Sequence, residues 1–155
     1  MDMRPVTRLA ILVAFGATVA ACDADSELVS NLRRWKDVEP SEYTFQFQRS
    51  CFCAPVATQA VRIFVQDGQV VDVRRVSDGQ QPPQQEIDDL FTITIDSLFG
   101  IVSHAIEVHA AHLDVVYDPR RGYPLHAQID YVATAADEEL SFTAAFISPT
   151  VPQPN

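Results

Sequence analysis

The sequence predicts an α+β domain in which one antiparallel sheet of about six strands carries helices on one face. Stretches that alternate apolar and polar residues, as half-buried strands do, occur in two groups of three. Before each group, apolar residues recur every three or four positions, as on one face of a helix. The predicted element order is therefore α-β-β-β-α-β-β-β. Hairpin-linked strands with helices between the groups favour an antiparallel sheet covered on one face.

The first helix is predicted over residues 26–38. Its apolar residues recur at spacings of four and three, which places them on one face: Leu28, Leu32 and Trp35. Asp25 or Ser26 is expected to cap the N-terminus. Pro40 ends the pattern, because proline does not continue a helix.

The first strand group begins with a strand over residues 42–49, whose aromatic side chains share one face: Tyr43, Phe45 and Phe47. Asp67-Gly68 separates two further alternating runs, at 60–66 and 69–76. This dipeptide predicts a hairpin, since both central residues of its two-residue turn take positive φ. Residues 77–90 contain two prolines and four glutamines and are expected to form a solvated loop.

The second helix is predicted to run to about His109, with Thr94 or Asp96 as its cap and a broad apolar face toward the sheet. Strands are expected at 113–117, 125–132 and 140–147. The segment Asp118-Pro119-Arg120-Arg121-Gly122 is predicted to form the turn between the first two. The rings of Tyr117 and Tyr123 are expected to flank it as a cross-strand pair.

The N-terminus predicts export and lipidation. Arg4 and Arg8 precede an apolar run over residues 9–19, which has the length of a signal-peptide core and is too short to span a bilayer. The run leads into Val19-Ala20-Ala21-Cys22, which resembles the lipobox of bacterial lipoproteins. In those proteins the cysteine receives a diacylglyceryl group and becomes the new N-terminus. Cleavage that leaves Cys22 free is the alternative.

This interpretation divides the chain into four parts. Residues 1–21 are the signal peptide, 22–30 the lipidated N-terminus and tether, 31–148 one domain, and 149–155 a disordered tail. Two or three acyl chains anchor a protein stably. Asp23 resembles the inner-membrane retention signal of Gram-negative lipoproteins, so the periplasmic face of the inner membrane is the expected location in such a host.

Composition narrows the partners of the domain. The chain has 155 residues, 47% of them hydrophobic, and a formal net charge of -10. That charge repels nucleic acid, which is therefore not an expected partner. The N-terminal lipid is expected to bind the membrane. The expected partner of the domain itself is an envelope protein or a cell-wall component.

Lipidation of Cys22 would leave Cys51 and Cys53 as a pair. Residues i and i+2 of a strand lie about 6.6 Å apart on one face, close to the upper limit of about 6.8 Å for a disulfide. A bond therefore requires a bend, which Ala54-Pro55 can provide. A structural disulfide suits an exported protein, while a redox-active pair, a metal-binding pair and two free thiols stay open.

Other chemical motifs are few. The sequence contains no Ser/His/Asp motif, phosphate loop or dinucleotide-binding glycine pattern, so no catalytic residue or cofactor is predicted. The spacing of His104, His109 and His112 is not that of a chelating pair on one helix face, and no metal site is predicted. The turn is the remaining candidate for contact with a ligand or partner, through Tyr117, Asp118 and Tyr123.

Several of these segments together resemble a family of bacterial exported proteins named domain of unknown function 6174. The resemblance covers about residues 33–147 and rests on the following segments: Trp35, Arg49-Ser50-Cys51-Phe52-Cys53, Tyr117-Asp118-Pro119, Gly122-Tyr123-Pro124 and Ile129-Asp130. It implies an exported protein, often with a lipoprotein signal, and implies no activity. Two functions stay open: a non-catalytic envelope lipoprotein that binds a partner through its sheet, and a thiol-based redox or metal-binding protein that uses Cys51 and Cys53.

Overall fold

The computed structural model describes residues 19–134 and 139–149, which form a six-stranded antiparallel sheet and three α-helices. The helices are α1 (Val19–Val38), α2 (Gln84–Glu86) and α3 (Ile95–Glu107). The strands are β1 (Glu42–Cys51), β2 (Val61–Gln66), β3 (Gln69–Arg75), β4 (His112–Tyr117), β5 (Pro124–Asp130) and β6 (Glu139–Ser148). The predicted α+β class and the predicted order of the main elements are confirmed.

The two strand groups are the two halves of one sheet, in the spatial order β3-β2-β1-β6-β5-β4. Each half is built from antiparallel neighbours that are consecutive in the chain. The first and last strands join the halves at the centre, where Gln46 lies opposite Ala145 and Cys51 lies opposite Leu140. The edges of the sheet are therefore β3 and β4.

The core lies between the sheet and the helices. In β1, the side chains of Tyr43, Phe45 and Phe47 are fully buried, whereas Gln46 and Gln48 on the other face are not. The helices contribute further buried side chains: Leu28, Trp35, Leu98 and Val102. Burial of each large apolar side chain contributes about 1.5–3 kcal/mol, so this layer holds the helices on the sheet.

Helix α1 begins earlier than the sequence predicted. Residues 23–30, which were expected to act as a tether, are helical, and Leu28 among them is buried. No proline or glycine lies between Val19 and Val38, so no helix-breaking residue interrupts the helix upstream of Leu28. The predicted signal peptide up to residue 18, the side chain of Cys22 and the tail from residue 150 lie outside the described residues.

The predicted solvated loop at 77–90 is partly wrong. Helix α2 continues into one turn of π-helix, Ile87–Phe91, and both of these named residues are buried. Their spacing of four places both side chains on the same side of the turn, where they join the core. The surrounding glutamines and prolines concealed this short apolar segment in the sequence.

Two local signals in the sequence are confirmed. Asp67 and Gly68 have φ values of 50° and 74°, as a two-residue hairpin turn requires. Thr94 caps α3: its side chain accepts a hydrogen bond from the Ser97 N–H, and the Ser97 hydroxyl accepts one from the Thr94 N–H. Asp96, the other candidate, instead accepts a hydrogen bond from Trp35 Nε1 at 3.1 Å.

None of the helices in residues 19–134 and 139–149 is, taken singly, both long and apolar enough to cross a membrane. The bent pair Gln84–Phe91 and Ile95–Glu107 meets that criterion by length and composition together. In the domain, five apolar side chains of α3 are buried in the core: Ile95, Leu98, Phe99, Val102 and Ala105.

Candidate functional site

The loop that carries both cysteines begins where β1 ends. Cys51 is the last residue of the strand and lies opposite Leu140 of β6. The chain then bends, and a disulfide joins Cys51 to Cys53 with their Cα atoms 5.3 Å apart. This separation is shorter than that of i and i+2 residues in a regular strand, so the bend brings the cysteines within bonding reach. The loop projects the side chain of Phe52, which is 88% exposed.

A cleft of about 370 Å³ lies beside this loop, where four strands begin or end. Its lining includes the following polar side chains: Ser50, His112, Gln128, Asp130, Glu139 and Ser141. His112 and Glu139 lie on either side of Asp130 in the sheet register. With two carboxylates and one aromatic ring at its border, the cleft suits a polar or positively charged group better than an apolar ligand.

The histidines of the domain have different surroundings. Of the four, His112 lines the same cleft as Cys51, while His104 packs on the Tyr131 ring at 6.1 Å. His109 has a φ of 55° and follows the last turn of α3. Across the part of the chain that the structure describes, no group of three or more His, Cys, Asp or Glu side chains could hold a metal ion.

Asp118 accepts hydrogen bonds from the backbone of the turn after β4. One carboxylate oxygen of Asp118 accepts hydrogen bonds from the N–H groups of Arg120 and Arg121, at 2.9 and 2.6 Å. The Asp118 carbonyl accepts a further bond from the Gly122 N–H at 2.8 Å. These contacts organise the turn, as expected of an aspartate at its start.

Tyr117 and Tyr123 do not form the expected cross-strand pair. The register shifts between Val116 and Tyr117, so that Tyr117 lies opposite Pro124. The ring of Tyr123 is buried against Trp35, at a centroid distance of 6.0 Å. Its hydroxyl accepts a hydrogen bond from the Phe146 N–H at 2.9 Å. The structure therefore gives Tyr123 a contact in the core.

Tyr117 lies in a different environment, on the helix side of the sheet edge. Its ring stacks on Phe99 with a centroid distance of 6.3 Å. Partial burial, with a contribution from the nearby Glu27 carboxylate, raises the pKa of Tyr117 to about 12. Of the three turn residues proposed for contact, Tyr117 is the one that borders an open groove.

Sequence reasoning missed that groove, which has a volume of about 130 Å³. It lies between β4 and the helices and is lined mainly by the following residues: Ala24, Glu27, Ile106, Leu113, Val115 and Tyr117. These residues come from α1, α3 and β4, and α1 is distant in the sequence from the other two. The alternation of Leu113, Val115 and Tyr117 was visible, but it indicated only a strand with one buried face.

Comparison with known proteins identifies one family. The model of the family of unknown function (DUF6174) matches residues 27–149, which include all six strands, the Cys51–Cys53 loop and the turn after β4. No curated protein matches the chain, and no solved structure does. The match confirms the resemblance noted in the sequence. Because it covers well over half of the 155 residues, the chain belongs to the family of unknown function DUF6174.

Proposed function

We propose that this protein is an exported lipoprotein, held on a membrane through Cys22, whose domain binds an envelope partner without catalysis. The observation that carries the anchor is Val19-Ala20-Ala21-Cys22 directly after the apolar run at 9–19. A small-residue site followed by a cysteine suits cleavage and acylation. In a Gram-negative host, Asp23 makes the periplasmic face of the inner membrane the proposed location.

The start of the domain supports a short connection to this anchor. Leu28, a buried residue near the start of α1, comes six residues after Cys22. At a rise of about 1.5 Å per residue, six helical residues span about 9 Å. A domain attached in this way stays close to the bilayer surface, within reach of other membrane-bound proteins of the envelope.

The Cys51–Cys53 loop supports a binding role. Phe52 is 88% exposed, and burying such a ring against a partner contributes about 1.5–3 kcal/mol. The disulfide restricts the loop before binding, which reduces the entropy lost on association. An aromatic side chain beside the acidic cleft would give a partner one apolar contact and a neighbouring polar region, as in the centre and rim of many interfaces.

The anchor is tested by metabolic labelling with a clickable fatty acid. We expect label on the wild-type protein and none on Cys22→Ser, because the thiol is the acceptor of the diacylglyceryl group. Cys53→Ser serves as the matched control, since it also replaces one cysteine by serine and should keep the label. Equal labelling of wild type and Cys22→Ser would exclude lipidation at this residue.

The binding role is tested by a photo-crosslinking amino acid at position 52 in living cells. We expect a discrete crosslinked species, because the exposed ring would lie in the interface. Position 71 provides the control, since Val71 is 50% exposed on β3, an edge strand that β2 separates from β1. No crosslink from position 52, or the same products from both positions, would contradict the proposal.

A thiol-based function is the alternative. The disulfide of the same loop is accessible at the border of the cleft, which favours it. In thiol exchange, one sulfur is attacked by a partner thiolate, a mixed disulfide forms and the second sulfur leaves as a thiolate. The crosslinking experiment separates the two functions in a Cys53→Ser background. A binding loop still crosslinks from position 52, whereas a mixed disulfide from Cys51 that reductant removes would favour thiol exchange.

A further inference from the structure

The two edges of the sheet are built differently. At β3, the register shift beside Val65 leaves Val71 without an opposite residue in β2. Arg74 and Arg75 follow on the same strand. The N–H of Arg75 donates a hydrogen bond to the Gln80 carbonyl at 2.9 Å, so the loop after β3 covers part of the edge. Bulges, charged side chains and covering loops are the usual protection against pairing with another strand.

Strand β4 has less of this protection. Within residues 19–134 and 139–149 it has a neighbouring strand on one side only. It contains no lysine, arginine or proline, and its register with β5 is regular from His112 to Val116. Val116 is 48% exposed on the face opposite the helices. Alternate backbone N–H and C=O groups of such an edge point outward and can pair with an added strand.

The groove lies where an added strand would place its inward side chains. Leu113, Val115 and Tyr117 are half-buried on the helix side of β4. Ile106 of α3 and Ala24 of α1 line the same groove. The next strand of a sheet runs about 4.8 Å away, and its inward side chains lie in the same layer as those of its neighbour. Apolar residues at alternate positions of a peptide would therefore enter this groove.

Two carboxylates near the β4 edge favour a positively charged occupant. Glu27 of α1 borders the groove, whereas the side chain of Asp114, which alternates with Leu113 and Val115, lies on the same face of β4 as Val116. Neither carboxylate forms an ion pair within the described residues. We propose that the β4 edge binds an extended peptide segment of another protein, with apolar residues at alternate positions and lysine or arginine between them. The backbone pairing would supply affinity, and the groove and the Asp114 carboxylate would supply specificity.

A second copy of the chain fits this edge less well. Pairing of β4 with β4 of another copy would bring two Asp114 carboxylates and two Glu27 carboxylates toward one another. Each copy also carries a net charge of -10. Like charges brought together in an interface disfavour association. The inference rests on the proposed binding role and does not depend on the lipid anchor.

The test uses the processed protein, in detergent if it is lipidated, and a nine-residue peptide that alternates valine with lysine and threonine. We expect saturable amide chemical-shift changes centred on residues 112–117, with slower hydrogen exchange of the outward amides. Methylation of the peptide nitrogens on the edge that faces β4 removes about two hydrogen bonds and should weaken binding at least about tenfold. Methylation on the opposite edge should leave the affinity unchanged.

Charge is tested in the protein. Asp114→Lys should lower the affinity for the basic peptide by about threefold, because the peptide's basic residues would face this carboxylate. The control is Asp89→Lys, which changes the net charge equally at an exposed residue that does not line the groove.

Three results would overturn the edge site: shifts centred on another surface, equal affinity of the two methylated peptides, or self-association through β4. If one of these results is obtained but position 52 crosslinks to a partner in cells, the proposed binding role stands and only this surface is wrong. If position 52 gives no crosslink either, the binding role fails as well.

Discussion

Replacing Trp35 with alanine is expected to lower the free energy of unfolding by about 3–5 kcal/mol. The Trp35 side chain is fully buried. Its ring contacts those of Tyr43, Tyr123 and Phe146, with centroid distances of 5.5, 6.0 and 6.3 Å. The alanine variant would leave a cavity where α1, β1, β6 and the turn before β5 meet, and would remove the Nε1 hydrogen bond to Asp96.

Urea denaturation followed by far-ultraviolet circular dichroism measures this loss without relying on the fluorescence of the single tryptophan. Trp35→Phe should lower the free energy of unfolding less than the alanine variant, because it keeps an aromatic ring in the cluster although it loses the hydrogen bond. Val38→Ala is the control on the same helix, since Val38 is 43% exposed, and it should change stability by less than about 0.5 kcal/mol. Similar values for Trp35→Ala and Val38→Ala would show that this aromatic cluster does not hold α1 on the sheet.

Replacing Gly122 with alanine is expected to lower the free energy of unfolding by about 2–4 kcal/mol. Gly122 has a φ of 83°, a conformation that is strained for residues with a side chain. A Cβ atom there would also clash with the Asn31 carbonyl oxygen and lie 3.0 Å from the Arg34 Cβ. Both contacts belong to α1, so relief of the clash requires the turn or the helix to move.

Gly68→Ala provides the matched control. Gly68 has a similar φ of 74°, but a Cβ atom at that position meets nothing within 4 Å. Its replacement should therefore cost about 1 kcal/mol, from the backbone conformation alone. The difference between the two alanine variants measures the close approach of the turn to α1. Equal losses would mean that backbone conformation accounts for the whole effect at Gly122.

The conformation of the turn after β4 could be predicted from neighbouring residues alone. The hydrogen bonds of Asp118 to the next residues and the positive φ of Gly122 follow from residue type and spacing. The contact of Gly122 with Asn31 does not, because nothing in either segment signals that α1 crosses the turn. Where α1 meets the turn, Tyr123 also packs against Trp35. Tyr123 therefore pairs with a helix residue and not, as expected, with Tyr117 across the hairpin.

The candidate site divides in a similar way. The sequence indicated that Cys51 and Cys53 could be bonded through a bend, because the two positions are neighbours in the chain. It did not indicate that Phe52 would be exposed beside a cleft, since that cleft forms where four strand ends meet. The groove at β4 was missed for the same reason, because α1 and α3 supply part of its lining.

By itself, the sequence determined the number, order and approximate bounds of the strands, the hairpin at Asp67-Gly68 and the family resemblance. These features depend on periodicity and turn chemistry, which act between residues close in the chain. Only the tertiary structure decided that β1 pairs with β6, that Ile87 and Phe91 are buried, and that β4 is an exposed edge. Those outcomes depend on which surfaces meet across long sequence separations, where the burial of one segment is set by the shape of another.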